Sequence, residues 1–169
     1  MGRRNCFSVE SKRIVLTGLG ATMVELFPTI CGKNLNKQKK SIPDDYIDKN
    51  LVVITAFQRW HQELVDNMIS NLEQLNVNDT HYIIEVPVVS QLSLLRRMRL
   101  DAIMRVGIRD YTIRERTVTV YTDKEEFKQK LGIKNEEEIH WFIVNTPTKS
   151  ILARGSGVMS IDEITQFIS

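Results

Sequence analysis

Two cysteines, Cys6 and Cys31, stand 25 positions apart. Neither belongs to a C-x-x-C pair, the spacing in which one thiol attacks a disulfide and its neighbour resolves the product. The pattern reads as two reduced thiols in a reducing compartment, not as a disulfide framework. His61, His81 and His140 are scattered, and no two ligands have the short spacing of a structural zinc site. Gly155-Ser156-Gly157 lacks the length and the following lysine of a phosphate loop and reads as a turn after an edge strand. No metal and no cofactor are expected.

Arginine is the strongest charge feature. Arg96, Arg97, Arg99, Arg105, Arg109, Arg114 and Arg116 fall within 21 residues, opposed by Asp101, Asp110 and Glu115, a local excess of +4 in a chain of net charge +2. At about 100° per residue, Arg96, Arg97, Arg99 and Arg105 spread around most of a helix and form no single stripe. The cluster reads either as a solvated, partly ion-paired surface or as a basic face for an anionic partner. Anionic lipid headgroups or the acids of a membrane-protein partner fit such a face. Nucleic acid is not expected, because no recognised binding motif and no aromatic-and-basic platform accompany the charge.

The elements that must hold these residues follow from periodicity. A chain of 169 residues, 42% hydrophobic and 26% charged, has enough apolar side chains for one domain with a real core. Residues 14–27 are apolar, but Thr17, Thr22 and Glu25 interrupt them, so they are too short and too polar to span a bilayer. With Arg3, Arg4, Lys12 and Arg13 ahead, residues 1–25 read as an N-terminal extension. It is either a targeting segment or an ordinary first helix or strand. The domain then covers 26–169. Residues 33–50, with Lys33, Lys37, Lys39 and Lys40 before Pro43-Asp44-Asp45, read as a solvated connection.

The run at 51–57 is short, β-branched and unbroken, which predicts a buried central strand. Leu64, Met68, Leu72 and Leu75 predict a helix over 59–75. A second strand follows at 81–89, with Pro87 at its end or at a bulge. A second helix over 91–106 has Leu95, Met98, Ala102 and Val106 as its apolar stripe and Gly107 as its stop. Residues 117–121 form a third strand. Asp123 caps a short helix, with Glu126 in the capping-box position and Gly132 at the end. Strands at 139–145 and 150–154 make a hairpin, and a Ser160–Glu163 capping box opens a last helix. The order β-α-β-α-β-α-β-β-α predicts an α/β fold, a mixed central sheet with helices on both faces.

That order resembles the thioredoxin-like superfamily, and within it the peroxiredoxin-type branch. Residues 117–132 (TVTVYTDKEEFKQKLG) look like that branch's extra βα unit, and 141–149 (WFIVNTPTK) like its apolar strand and polar turn. A narrower similarity over 26–169 is to the mitochondrial ATP synthase assembly factors of thioredoxin-like type. It rests on Phe27-Pro28, Gly32, Leu35 and Pro43, on Met104 to Ile108, and on Ile151 to Gly157 followed by Asp162-Glu163. The last strand of that family usually reads Ile-Arg-Trp, whereas Leu152 and Ala153 follow Ile151 here.

The resemblance implies where redox chemistry would sit. The nucleophilic cysteine of such a fold stands just after the first strand, where the helix dipole and exposed amides lower its pKa. Here Phe57-Gln58-Arg59-Trp60-His61-Gln62-Glu63 contains no cysteine, serine or threonine. The position implied for the family's cis-proline, near 136–139, contains no proline. The expected protein is therefore not an enzyme. By resemblance it is a redox-inactive assembly factor or chaperone, peripheral on the matrix side of the mitochondrial inner membrane. Its expected partners are subunit a of the ATP synthase membrane sector and anionic lipid. The candidate partner-binding residues are Arg59, Trp60 and His61 on the former active-site rim, then Arg96, Arg97, Arg99, Arg105, Arg109 and Arg154. Two alternatives stand beside this reading: a peroxiredoxin-like enzyme using Cys31, and a generic redox-inactive binding module in the cytoplasm.

Overall fold

A strand with no polar alternation must be covered on both faces, and the run at 51–57 meets that condition by lying at the heart of a sheet. The computed structural model describes residues 12–91 and 94–168; Arg3, Arg4 and Cys6 lie outside them. In chain order the elements are β1 (Lys12–Thr17), β2 (Gly20–Glu25), β3 (Ile30–Asn34), β4 (Lys39–Ile42), β5 (Asn50–Ala56), α1 (His61–Gln74), β6 (His81–Ser90), α2 (Leu94–Gly107), α3 (Tyr111–Arg116), β7 (Val118–Thr122), α4 (Lys124–Leu131), β8 (His140–Val144), β9 (Ile151–Ser156) and α5 (Ile161–Ile168). A 3-10 turn, Val77–Asp79, links α1 to β6.

The main sheet has the order β4-β3-β7-β6-β5-β8-β9. β5 runs parallel to β6, and β6 parallel to β7, as the two βα crossovers require. β8 and β9 return antiparallel. Alternate β5 residues serve opposite faces. Leu51 and Val53 pack with Phe127 and Leu131 of α4 on one side. Val52 and Ile54 pack with Val65, Met68 and Leu72 of α1 and Ile164 of α5 on the other. The expected mixed sheet with helices on both faces is what forms. Pro87 lies inside β6, not at its end. It is the last β6 residue opposite β5, and Val88 to Ser90 then pair with β7.

The solvated connection expected over 33–50 is instead a hairpin. β3 and β4 pair antiparallel, and β3 joins β7 through Lys33↔Thr119 and Asn34↔Val118. A lysine-rich strand reads as a loop in sequence, but at a sheet edge lysines discourage pairing with another chain. Gly32 is required here: a Cβ would lie 2.7 Å from the Thr119 carbonyl oxygen and from Val118 Cγ1. The buried Asn34 side chain accepts from the Asn36 and Gln38 amides at 3.1 and 2.9 Å and closes the turn.

The apolar stripe of α2 does not face the core. Leu95 is 82% exposed and Val106 80%, with Met98 also exposed. The short helix α3, which the sequence reading did not separate from its loop, packs against β3 and β6. The inner side of α2 meets the sheet through polar contacts. Tyr121 Oη donates to Asp101 at 2.6 Å, and the Arg97 guanidinium lies 5.2 Å from the Tyr121 ring centroid.

The helix caps divide. Ser160 and Glu163 form the reciprocal box, Ser160 N–H to Glu163 Oε2 at 2.8 Å and Glu163 N–H to Ser160 Oγ at 3.3 Å. Asp123 accepts from the Glu125 and Glu126 amides at 2.8 and 3.1 Å. Glu126 does not return to that cap; its carboxylate pairs with Lys130 at 2.6 Å. Asp123 is then the main capping group of α4. Asp123→Ala is expected to lower stability by about 1 kcal/mol, read as a drop in urea midpoint with unchanged slope.

Residues 12–25 form a ribbon of their own, β1 against β2. Over the described part of the N-terminal extension the chain is therefore strand, not helix. Ile14, Val15 and Leu16 are consecutive and all exposed, so neither face of the ribbon is covered. Its base is tied to the domain by an Arg154–Glu25 ion pair and a bridge between Leu26 and Ser150.

Candidate functional site

The corner between β5 and α1 is where a sheet of this kind presents a helix N-terminus to a ligand. Here Trp60 occupies the N-cap position without a side-chain cap bond. His61 opens the helix and is fully buried. Its Nδ1 accepts from the Phe57 amide at 3.1 Å. Burial lowers the pKa of His61, so the ring is neutral at pH 7 and carries its proton on Nε2. Nε2 is buried and turned to the backbone of Glu137, a contact that opposes the fall in pKa. The Trp60 ring stands edge-on to the imidazole with centroids 4.3 Å apart, and Trp60 itself is 56% exposed.

The facing wall comes from the segment before β8. Gln58 Nε2 donates to Glu136 Oε1 at 3.3 Å, and Lys124 Nζ donates to the Phe57 carbonyl at 3.1 Å. The Glu136 carboxylate lies 3.9 Å from Lys124 and 3.8 Å from Lys128. His140 Nε2 pairs with the Asn135 carbonyl at 3.0 Å, and burial lowers the pKa of that ring as well. The corner thus holds two neutral imidazoles, an exposed indole and a carboxylate shared between lysines. Among the described residues of the corner there is no thiol, and the buried Thr55 hydroxyl is already donated to the His140 carbonyl at 3.1 Å. Cys31 lies in β3, opposite Ser41 of β4. β7 and β6 separate β3 from β5, which places the two strands about 14 Å apart at ~4.8 Å per strand.

The expected binding residues fall on three elements. Arg59 and Trp60 are exposed at the β5–α1 corner. His61, beside them in sequence, is corrected to a buried strut: its ring holds the Phe57 amide and offers no surface to a partner. Arg96, Arg99, Arg105 and Arg109 are exposed on or just after α2, while Arg97 is half-buried against Tyr121. Arg154 is also internal in role. Its guanidinium pairs with Glu25, donates to the Leu131 carbonyl and lies 4.8 Å from the Phe142 ring centroid.

One titratable residue escaped the sequence reading. Glu85 is buried in the middle of β6, and burial raises its pKa, with Asp66 adding to the rise. Thr117 Oγ1 lies 3.3 Å from Glu85 Oε2 and 2.8 Å from the Ile113 carbonyl. The signal was a lone acid inside the run Ile83-Ile84-Glu85-Val86.

The sheet order, the parallel β5–β6–β7 core, the antiparallel β8–β9 return and the terminal helix define a thioredoxin-like fold. No family model matches the chain, and no curated protein matches it. Solved structures do. The exposed lipoprotein thioredoxin of Streptococcus pneumoniae aligns with a TM-score of 0.56 at 11% identity, over 83% of this chain and 97% of that one. A DsbF homologue from Corynebacterium diphtheriae aligns at 0.54 and 14%, over 99% and 95%. BsSco, a member of the Sco family of cytochrome c oxidase assembly proteins, aligns at 0.56 and 10%, over 86% and 92%. At such identities the likeness is one of fold. Among the described residues there is no cluster of His, Cys, Asp and Glu able to hold a metal, and no helix long and apolar enough to cross a membrane.

Proposed function

We propose that this chain is a redox-inactive binding protein that acts in the assembly of a membrane complex. The observation that carries the reading is the β5–α1 corner. The place where a thioredoxin-like oxidoreductase needs a thiolate is occupied by Gln58, Arg59, Trp60 and a buried His61 already bonded to backbone. A helix N-terminus without a nucleophile can still bind, and the exposed Trp60 and Arg59 supply an apolar and a cationic contact there. The exposed arginines of α2 provide a second surface for lipid headgroups or client acids.

The fold neighbours include a protein described as belonging to a family of respiratory-oxidase assembly proteins, which is consistent with such a use of this fold. The resemblance of the motifs quoted for 26–169 takes the proposal further, to an assembly factor for subunit a of mitochondrial ATP synthase, peripheral on the matrix side of the inner membrane.

Crosslinked affinity purification from the native host tests the reading. Newly made ATP synthase membrane subunits are the expected co-purifying proteins; recovery of only cytosolic or ribosomal proteins overturns the mitochondrial role. A thiol–disulfide and peroxide turnover assay tests the chemistry. No turnover above background is expected, and turnover that Cys31→Ser abolishes would make the protein an enzyme.

A further inference from the structure

A groove of about 660 Å³ runs between the C-terminal half of α2 and the turn after β3. It joins residues far apart in the chain. The buried Leu35 lies at its base, and the exposed Met98 and Val106 of α2 give it an apolar edge. Lys33 and Lys37 stand on the β3 side, where the Leu35 amide donates to the Arg114 carbonyl at 3.0 Å and holds Arg114 alongside, and Arg105 stands on α2. The acid among its lining residues, Asp101, already accepts the Tyr121 hydroxyl. Among the described residues, none of the four cations is ion-paired to an acid. Arg114 has a buried Nε with no hydrogen-bond partner.

Four like charges around one apolar trough repel each other until an anion enters, and the trough below them favours an apolar group. The complement is a ligand that alternates negative and apolar groups. From Met98 to Val106 the α2 wall is about 12 Å long, roughly the span of four residues of extended peptide. The four cations come from β3, the turn after it, α2 and α3 and surround a cleft, a shape that suits a single chain better than the plane of a bilayer. We propose that this groove binds an acidic, apolar-alternating segment of a partner protein in extended conformation. Its acids pair with Lys33, Lys37, Arg105 and Arg114, and its apolar side chains enter between Met98 and Val106. The proposal rests on the binding-protein reading for its role, and it assigns the client contact to a site away from the β5–α1 corner.

The test is fluorescence anisotropy of the full chain with a fluorescein-labelled peptide of alternating Asp and Leu, about eight residues long to overhang the ~12 Å wall. Saturable binding that weakens with salt is expected. Ala102→Trp fills the groove from an exposed α2 position without changing charge, and should weaken binding at least about tenfold, or about 1.4 kcal/mol. Lys33→Glu with Arg105→Glu should do the same and create affinity for the Lys–Leu counterpart peptide. Circular dichroism confirms that both variants are folded. Absence of binding by the unaltered chain overturns the proposal. So does binding that Ala102→Trp leaves unchanged, which is diffuse charge attraction. Flotation with phosphatidylserine vesicles but no peptide binding assigns the cationic surface to membrane instead. A failed peptide together with recovered client subunits removes the groove and leaves the assembly role; thiol turnover removes that role whatever the peptide does.

Discussion

Phe142→Ala is expected to cost about 3–5 kcal/mol, the range for removing a fully buried phenyl ring. Phe142 stands on β8, next to the central strand, and is 1% exposed. Its ring meets Phe27 edge-to-face at 5.5 Å, and the Arg154 guanidinium lies 4.8 Å from its centroid. Truncation therefore opens a cavity and removes an aromatic pair and a cation–π contact together, each of the latter worth about 0.5–2 kcal/mol. Domains of this size hold only about 5–15 kcal/mol of net stability, so the variant should lose a large fraction of it. Urea midpoints at constant slope measure the loss. A loss under about 1 kcal/mol, far below that buried-ring range, would mean that the Phe27–Phe142–Arg154 stack does not exist in solution.

Glu85→Gln is expected to stabilise the protein at pH 8 and to leave it nearly unchanged at pH 4. Burial among β6, α1 and α3 raises the folded-state pKa above the ordinary value near 4.5; Asp66 adds to the rise, while the Thr117 hydroxyl, Gln62 and Arg116 oppose it. The folded chain thus keeps a proton that the unfolded chain releases. Stability is fully present below the unfolded carboxylate pKa and declines as pH rises through the folded one. Each tenfold difference in proton affinity amounts to about 1.4 kcal/mol. Glutamine copies the neutral carboxyl without the charge, so the stability difference between the two chains should grow with pH over that interval. A pH-independent difference, or destabilisation at every pH, would show that Glu85 is ionised in the folded state and held by Arg116 instead.

Everything from residue 50 onward was legible where one physical signal dominated. The unbroken run at 51–57 could only be a strand covered on both faces, and β5 is that strand. Asp123, Gly132 and Ser160 announced helix ends through capping chemistry that acts over a few residues. β3 and β4 were not legible, because their lysines carry the composition of a loop and the strand that β3 joins, β7, lies more than 80 positions away. Periodicity correctly gave α2 an apolar face, but a period cannot say whether a neighbour covers it. Here it is left exposed. The site divides along the same line. The missing nucleophile at 57–63 is a local fact of the sequence. The burial of His61 and the grouping of Lys33 and Lys37 with Arg105 and Arg114 are tertiary facts.

The pairing of β3 with β7 also fixes an order of events at the ribosome. β3 and β4 can form their own hairpin early, but the strand they join is made only at residues 118–122. The bridge from Leu26 waits longer, for Ser150, and Glu25 waits for Arg154. During synthesis the first third of the chain therefore emerges with no sheet edge to dock on, its apolar ribbon and open strands accessible to whatever receives nascent chains. These strands are made well before the partners that secure them.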